Sequence, residues 1–319
     1  MFEEKIQLIP ARVAHNRTLL DKYLDANKCH ALFPPVAQQH PSHIVSLGLF
    51  DGGYNPSILK LEGVTLMAYR YHHDGGFATR LAIAELDDKF NVIKNQALDL
   101  NDEALSHEDP RLFHWLGAVW MSYVSSDWPN FPSATVRYAR LTKPDHWRAE
   151  SPIDYVFPTR EQIEKNHTPL PLGDGMAIIY RHNPSQIVYV PGKQEPITSE
   201  ALTWPYGEIR GGTAPLIYKD NWLKFFHSSL RNDMPPVFHR YYVGAMLIEQ
   251  AAPYKMVAVS KKPILFGSEA GGDTTRKHFK KNVVFPAGAF SDKGKIFLSV
   301  GVNDSQCAVV ELSASDLNL

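Results

Sequence analysis

The chain has 319 residues, 44% of them apolar and 21% charged, and its 33 Lys and Arg against 34 Asp and Glu leave a formal net charge of -1. That balance excludes a disordered chain and a strongly basic one, so nucleic acid is not an expected partner. No stretch approaches the roughly 18 uninterrupted apolar residues of a membrane helix, and the opening Met1-Phe2-Glu3-Glu4-Lys5-Ile6 lacks the basic and apolar regions of a signal peptide, so a cytoplasmic protein with no membrane partner is expected.

Cys29 and Cys307 stand near opposite ends of the chain, without the paired Cys or His spacing of a zinc site, so neither a metal nor a disulfide is expected. Aromatic residues make up 11% and prolines number 23, while helical periodicity is scarce; many short strands joined by tight turns fit that composition.

Residues 1–43 are the least regular part. Arg12 to Leu20 supports a short helix, and Phe33-Pro34-Pro35-Val36 interrupts whatever follows it, so this segment reads as an N-terminal arm or cap before a domain at 44–319. Within that domain one grammar recurs about every 45 to 70 residues: proline, apolar strand, turn, apolar strand. It runs from Pro56 through Gly63 to Arg70, and from Pro110 through Gly117 to Tyr123. It returns from Pro169 through Gly175 to Arg181, from Pro215 through Asn221 to His227, and from Pro286 through Gly294 to Val300. Further strands follow most copies, as at Thr79–Leu86, Ala134–Ala139, Tyr242–Glu249 and Cys307–Leu312.

Each such small antiparallel sheet alone would leave both faces wet, whereas packing five radially buries them and exposes only short edges. The expected fold is therefore all-β, a five-bladed β-propeller. Residues flanking the first strand of each blade converge at one end of the channel: Tyr54, Asn55, Asp109, Arg111, Thr213 and Phe285. The ends of the second strands add Arg70, Arg181, His227, Asn303 and Asp304.

The most charged of these junctions is Ser106-His107-Glu108-Asp109-Pro110-Arg111. Pro110 biases Asp109 toward an extended backbone, which would send Glu108 and Asp109 to opposite sides. Two readings of Asp109 stand: a proton donor held near Arg111, or a structural carboxylate that accepts backbone N–H bonds with Arg111 as its ion-pair partner. Similar pairs of readings apply elsewhere. His72-His73-Asp74-Gly75-Gly76 is a metal or phosphate loop or a solvated turn; the basic run around Gly267 to Lys281 is a flap over the site or a solvated face. Trp128, Trp204 and Tyr206 either form stacking platforms for a ligand's apolar face or pack in the core or rim.

Taken together, the repeat and the motifs resemble the five-bladed propellers of glycoside hydrolase family 130, inverting β-mannoside phosphorylases and related hydrolases. The marks are Tyr54-Asn55-Pro56-Ser57 with Arg70, Glu108-Asp109-Pro110-Arg111, Tyr180-Arg181, Gly212-Thr213-Ala214-Pro215 with Trp222-Leu223 and His227, and, in the last blades, Tyr242 to Leu247, Pro263-Ile264-Leu265, Asn282 to Gly288 and Gly301-Val302-Asn303-Asp304. The resemblance implies Asp109 as the proton donor, with Asn55, Arg70 and Asp304 on the sugar of the non-reducing side and Glu108 and Arg111 as flanking substrate-binding residues. It implies Arg181 and His227 on phosphate. Where phosphorylases carry a lysine before the glycine turn of the fourth blade, this chain has Glu208, with Arg210 two residues on. Arg210 is then a substitute phosphate ligand, or Glu208 a base for water, or Glu208 a solvated neighbour of Arg210. A further phosphate-binding arginine before the third blade has only Arg160 or Lys165 as candidates.

Phosphorolysis to a sugar 1-phosphate ranks first among the expected activities, followed by phosphate-independent hydrolysis through Glu208 and by a catalytically silent glycan-binding propeller. The expected partner is an oligosaccharide or glycoside, with inorganic phosphate as co-substrate and no other cofactor; homo-oligomers are compatible with the sequence.

Overall fold

The computed structural model describes residues 34–319 apart from 51, 74–75, 128–132, 159, 233–237 and 277. Most of the expected arm, its helix at 12–20, Cys29, Trp128 and the Asp74-Gly75 pair lie outside the described residues. After a single helical turn at Val36–Gln39, β1 (Ser42–Val45) begins the strands. Blade one is β2 (Tyr54–Leu61), β3 (Val64–His72), β4 (Thr79–Leu86) and β5 (Val92–Ala97), paired antiparallel in that order. Blade two is β6 (Ser106–Trp115), β7 (Ala118–Ser126) and β8 (Ala134–Thr142), with β9 (Arg148–Ala149) and β10 (Ile153–Asp154) both on β8. Blade three follows as β11 (Thr168–Leu172), β12 (Gly175–Arg181), β13 (Ser185–Tyr189) and β14 (Ile197–Glu200). In blade four the inner edge is split into β15 (Arg210–Gly212) and β16 (Leu216–Tyr218), both on β17 (Asn221–Asn232), which pairs with β18 (Phe238–Glu249); β19 (Met256–Val259) and β20 (Leu265–Phe266) complete it. Blade five is β21 (Val284–Asp292), β22 (Lys295–Val302), β23 (Gln306–Leu312) and, as its outer strand, β1.

That last pairing closes the ring. Ser42 to Val45 lie opposite Val310 to Cys307, so the first described strand of the chain completes the final blade. The strand straddles the boundary expected between residues 43 and 44.

Period-2 alternation explains why the strands read as nearly continuous apolar runs. On β3, Leu66 and Ala68 face blade two, while Met67 and Tyr69 face blade five. On β12, Ala177 and Ile179 face blade four, and Met176, Ile178 and Tyr180 face blade two. Among the described residues five clusters of buried apolar side chains result, one at each junction between neighbouring blades. At about 1.5–3 kcal/mol for each buried Leu, Val, Ile or Phe, these seams are the main favourable term holding the ring together.

The same local device recurs where the inner strand reaches the hub. The β2–β3 register slips between Tyr54 and Ser57, and the β6–β7 register between Glu108 and Arg111. At each bulge the residue before proline is left-handed, with φ 52° at Asn55 and 50° at Asp109. This corrects the extended conformation expected for Asp109. A β-bulge re-aims a side chain, and here it turns Asn55 and Asp109 toward one another.

Candidate active site

At the hub, Asn55 Nδ2 donates to Asp109 Oδ1 at 2.8 Å, and Arg70 donates to the same oxygen at 2.9 Å. Arg70 also reaches Glu108 Oε2 at 3.0 Å and the Tyr54 hydroxyl at 2.6 Å. The two carboxylates therefore share one guanidinium, which overturns the expectation that they point to opposite sides. Burial alone would raise the pKa of Asp109, but Arg70, then Arg111 and Lys165, outweigh it and hold the group down to about 2. Burial pushes Tyr54 up to about 12, so its phenol stays protonated.

Arg111 does not pair with the Asp109 carboxylate and is not placed to meet a sugar. Its side chain is fully buried, and its nitrogens donate to the carbonyl oxygens of Gly212 at 2.6 Å and Asp109 at 3.0 Å and to Asn166 Oδ1 at 3.2 Å. Buried carbonyls need donors, and Arg111 supplies them where the bulge of β6 meets the inner edge of blade four.

Beside this cluster lies a cavity of about 530 Å³. Tyr54, Arg70, Glu108, Lys165, Lys280 and Asp304 give it a charged wall, and His72, Phe77, His278 and Phe279 an aromatic one. Lys165 donates to Glu108 Oε2 at 3.0 Å, and Lys280 pairs with Asp304 at 2.9 Å. Asp304 sits in the turn between β22 and β23, where Asn303 and Asp304 are both left-handed. Asn303 is a brace for that turn: its amide donates to the carbonyls of Ser268 and Gly271 and its Oδ1 accepts from the Val283 N–H. Thr213, also expected at the hub, is fully buried and bonds the Phe225 backbone.

The residues expected on phosphate are placed unequally. His227 is buried, stacks on Tyr241 with the rings 9° apart, and lies 4.7 Å from the Phe285 ring. Burial holds its pKa down to about 3. Its Nδ1 contacts the Gly211 carbonyl oxygen, which can only accept, so the neutral ring carries its proton on Nδ1 and presents a lone pair at Nε2. Arg210 is exposed, 3.4 Å from Glu208, and its charge is felt at both His227 and Tyr241. Tyr241 lies within the fields of Asp304, Lys280, Arg210 and Asp109 together. Arg181 stands apart on the exposed end of β12, 3.5 Å from Glu161. None of Arg181, Glu208, Arg210, His227 and Tyr241 lines the cavity. Of the two candidates before blade three, Lys165 enters the cavity, whereas Arg160 is held by Asp154 and Glu164, each at 3.0 Å.

Of the two readings of Trp204 and Tyr206, packing is the one the structure bears out: both join the blade-three to blade-four seam, with Trp204 Nε1 donating to Ser228 Oγ at 2.7 Å. His72 is not set in a metal cage: its Nε2 lies 2.9 Å from the Tyr54 hydroxyl and its ring stacks on His278. No cluster of three or more metal-ligating side chains occurs among the described residues. Nor does a helix long and apolar enough to cross a membrane. The basic run, read as a flap or a solvated face, lines the cavity through His278, Phe279 and Lys280.

Comparison with known proteins adds a decisive observation. A family model described as beta-1,4-mannooligosaccharide phosphorylase, that of glycoside hydrolase family 130, matches residues 51–318. The chain belongs to this family. Among curated relatives, a beta-1,2-mannobiose phosphorylase of Listeria innocua is 27% identical over 111 residues, which is 35% of this chain and 29% of that enzyme. A 1,2-beta-oligomannan phosphorylase of Thermoanaerobacter sp. is 29% identical over 115 residues, 36% of each chain. The matched stretch is thus only about a third of either relative. The solved structure of the Listeria enzyme with beta-1,2-mannobiose superposes with a TM-score of 0.62 at 15% identity, over 90% of this chain and 94% of that one. At that identity the likeness speaks for the shared family 130 fold.

Proposed function

We propose that the chain breaks β-mannosidic bonds with inversion by phosphorolysis, releasing an α-mannose 1-phosphate and a shortened sugar, and that it forms the bond in reverse. The observation that carries this reading is the Asp109 carboxyl, buried at the hub beside two residues of the cavity wall, Arg70 and Glu108, and gripped by Asn55 and Arg70. In this reading Asp109 delivers the proton to the leaving oxygen, directly or through a sugar hydroxyl. Asn55, Arg70, Glu108 and Asp304 hold the sugar on the non-reducing side.

An inverting glycosidase that uses water needs a second carboxylate free to act as base. Glu108 and Asp304 are each bound by cations, and Glu208 is exposed and paired with Arg210. Phosphate needs no such base, because it arrives as an anion. We place it at blade four, across the hub from Asn55 and Arg70, against Arg210 and the Tyr241 hydroxyl, with His227 Nε2 accepting the proton of a P–OH group. An anion there also offsets the cations that keep Asp109 ionised and so raises its pKa toward the working range of an acid. A sugar 1-phosphate retains its value only inside a cell, which supports a cytoplasmic site of action.

The test is to incubate the protein with β-1,2- and β-1,4-mannobiose, with and without inorganic phosphate, and follow the anomeric signals by NMR. Phosphate-dependent α-mannose 1-phosphate is expected. Asp109→Asn should lower kcat by about 10²–10⁴-fold while disaccharide affinity, measured by calorimetry, changes far less. Free mannose formed at the same rate without phosphate would overturn phosphorolysis, and absence of any turnover would overturn the enzymatic reading.

A further inference from the structure

Next to the charged wall of the cavity, two phenylalanine rings come from separate connections. Phe77 lies between β3 and β4 and is 60% exposed although it lines the cavity; Phe279 lies between β20 and β21. One exposed aromatic residue needs no explanation. Two rings delivered to one cavity, on loops fastened to each other, do.

The fastening runs through His278. Its ring stacks on His72 with centroids 3.5 Å apart and meets Phe77 edge-on at 5.4 Å. Its Nε2 lies 3.1 Å from the carbonyl oxygen of Gly76, which fixes it as donor there. Next to Phe279, Lys280 is tied to Asp304. Gly272 makes room for the ring, since a Cβ at that position would lie 2.9 Å from Phe279 Cε2. The aromatic wall is therefore held in place before any ligand arrives, which lowers the entropy lost on binding.

Chemically, the two walls suit different sugars. The glycosyl unit that develops charge needs its hydroxyls met by Arg70, Asp304 and Asn55. The leaving sugar has to be oriented while its oxygen is protonated and then released. An apolar C–H face laid on an aromatic ring does this with little demand for particular hydroxyls.

We propose that Phe77 and Phe279 form the subsite for the hexopyranose on the leaving-group side, which in the synthetic direction is the acceptor. This assignment rests on the function proposed above and names the residues that set its acceptor specificity. In the synthetic direction, with mannose 1-phosphate as donor and mannose as acceptor, Phe77→Ala should raise the KM for acceptor about tenfold. The KM for mannose 1-phosphate and kcat should stay within about twofold. Phe77→Trp should restore acceptor affinity, and Phe279→Ala, checked for folding by its melting curve, should behave as Phe77→Ala does. Equal rises in both KM values, or no change in either, would overturn the subsite. If the wild-type protein forms no bond from mannose 1-phosphate, the functional reading falls by itself. Calorimetry with β-1,2-mannobiose on wild type and Phe77→Ala then decides the subsite: about tenfold weaker binding sustains it, and equal affinity sinks it.

Discussion

Asp109 carries an apparent contradiction, for a proton donor should hold its proton near neutral pH, yet this carboxyl is kept at about 2 by Arg70, Arg111 and Lys165 against the opposing effect of burial. Lys165 is the member of that set that can be removed cleanly: Arg111 braces the bulge and Arg70 is the centre of the clamp, whereas Lys165 is a surface side chain bonded to Glu108. Replacing it by Met deletes a positive charge, makes the Asp109 anion less favourable and raises its pKa. The activity of a catalyst that must be protonated falls as pH rises through that pKa. The alkaline limb of the kcat–pH profile should therefore move to higher pH in Lys165→Met. A shift to lower pH, or an unmoved limb with a reduced plateau, would mean that Lys165 acts on the substrate and not on the acid.

At the scale of elements, the bulge is what makes a site from a propeller, and a glycine in the neighbouring blade permits it. Gly301, on β22, lies so close to the first bulge that a Cβ would sit 2.2 Å from Asn55 Oδ1 and 2.7 Å from Asn55 N. Gly301→Ala must displace Asn55 and with it one of the two grips on Asp109. A misplacement near 1 Å can cost about 10²-fold in rate, so kcat should fall on that order with a smaller loss of thermal stability. A variant that melts earlier but turns over at the wild-type rate would separate Asn55 from the chemistry. The repeat was legible in the sequence because strands buried on both faces spell apolar runs between turns, and all five sheets stand where those runs predict them. The pairing of β1 with β23 was not, since Ser-His-Ile-Val is short and its partner lies at the far end of the chain. Pro56 and Pro110 marked the right places, but the extended bias of a pre-proline residue concealed the left-handed turn. Phe77 comes from a connection outside the repeat, where nothing periodic points to it, whereas Lys165 and the run that holds Phe279 are marked by their charge alone. Tyr241 lies within β18, one residue before the Tyr242 to Leu247 motif, so the motif does not include it.

For the whole molecule, closure through β1 makes stability a property of the ring and not of separate blades. Val45, at the end of β1, is buried in the seam between blades five and one together with Ile58, Met67 and Val309. Its neighbour Ile44 points outward and is 41% exposed. Burying an unpaired carboxylate at position 45 should cost about 4 kcal/mol, while Ile44→Asp, one residue away on the opposite face, should stay within about 0.5 kcal/mol of wild type. The described tryptophans report from elsewhere: Trp115 and Trp120 on blade two, Trp147 on the blade-one to blade-two seam, and Trp204 and Trp222 on the seam of blades three and four. None belongs to blade five. If the seams cooperate around the closed ring, opening it at β1 lowers the denaturant midpoint seen by tryptophan fluorescence in Val45→Asp as much as the midpoint seen by far-ultraviolet dichroism. Were the blades independent, fluorescence would keep the wild-type midpoint while dichroism showed an early transition, and the closing strand would be an ornament on one sheet.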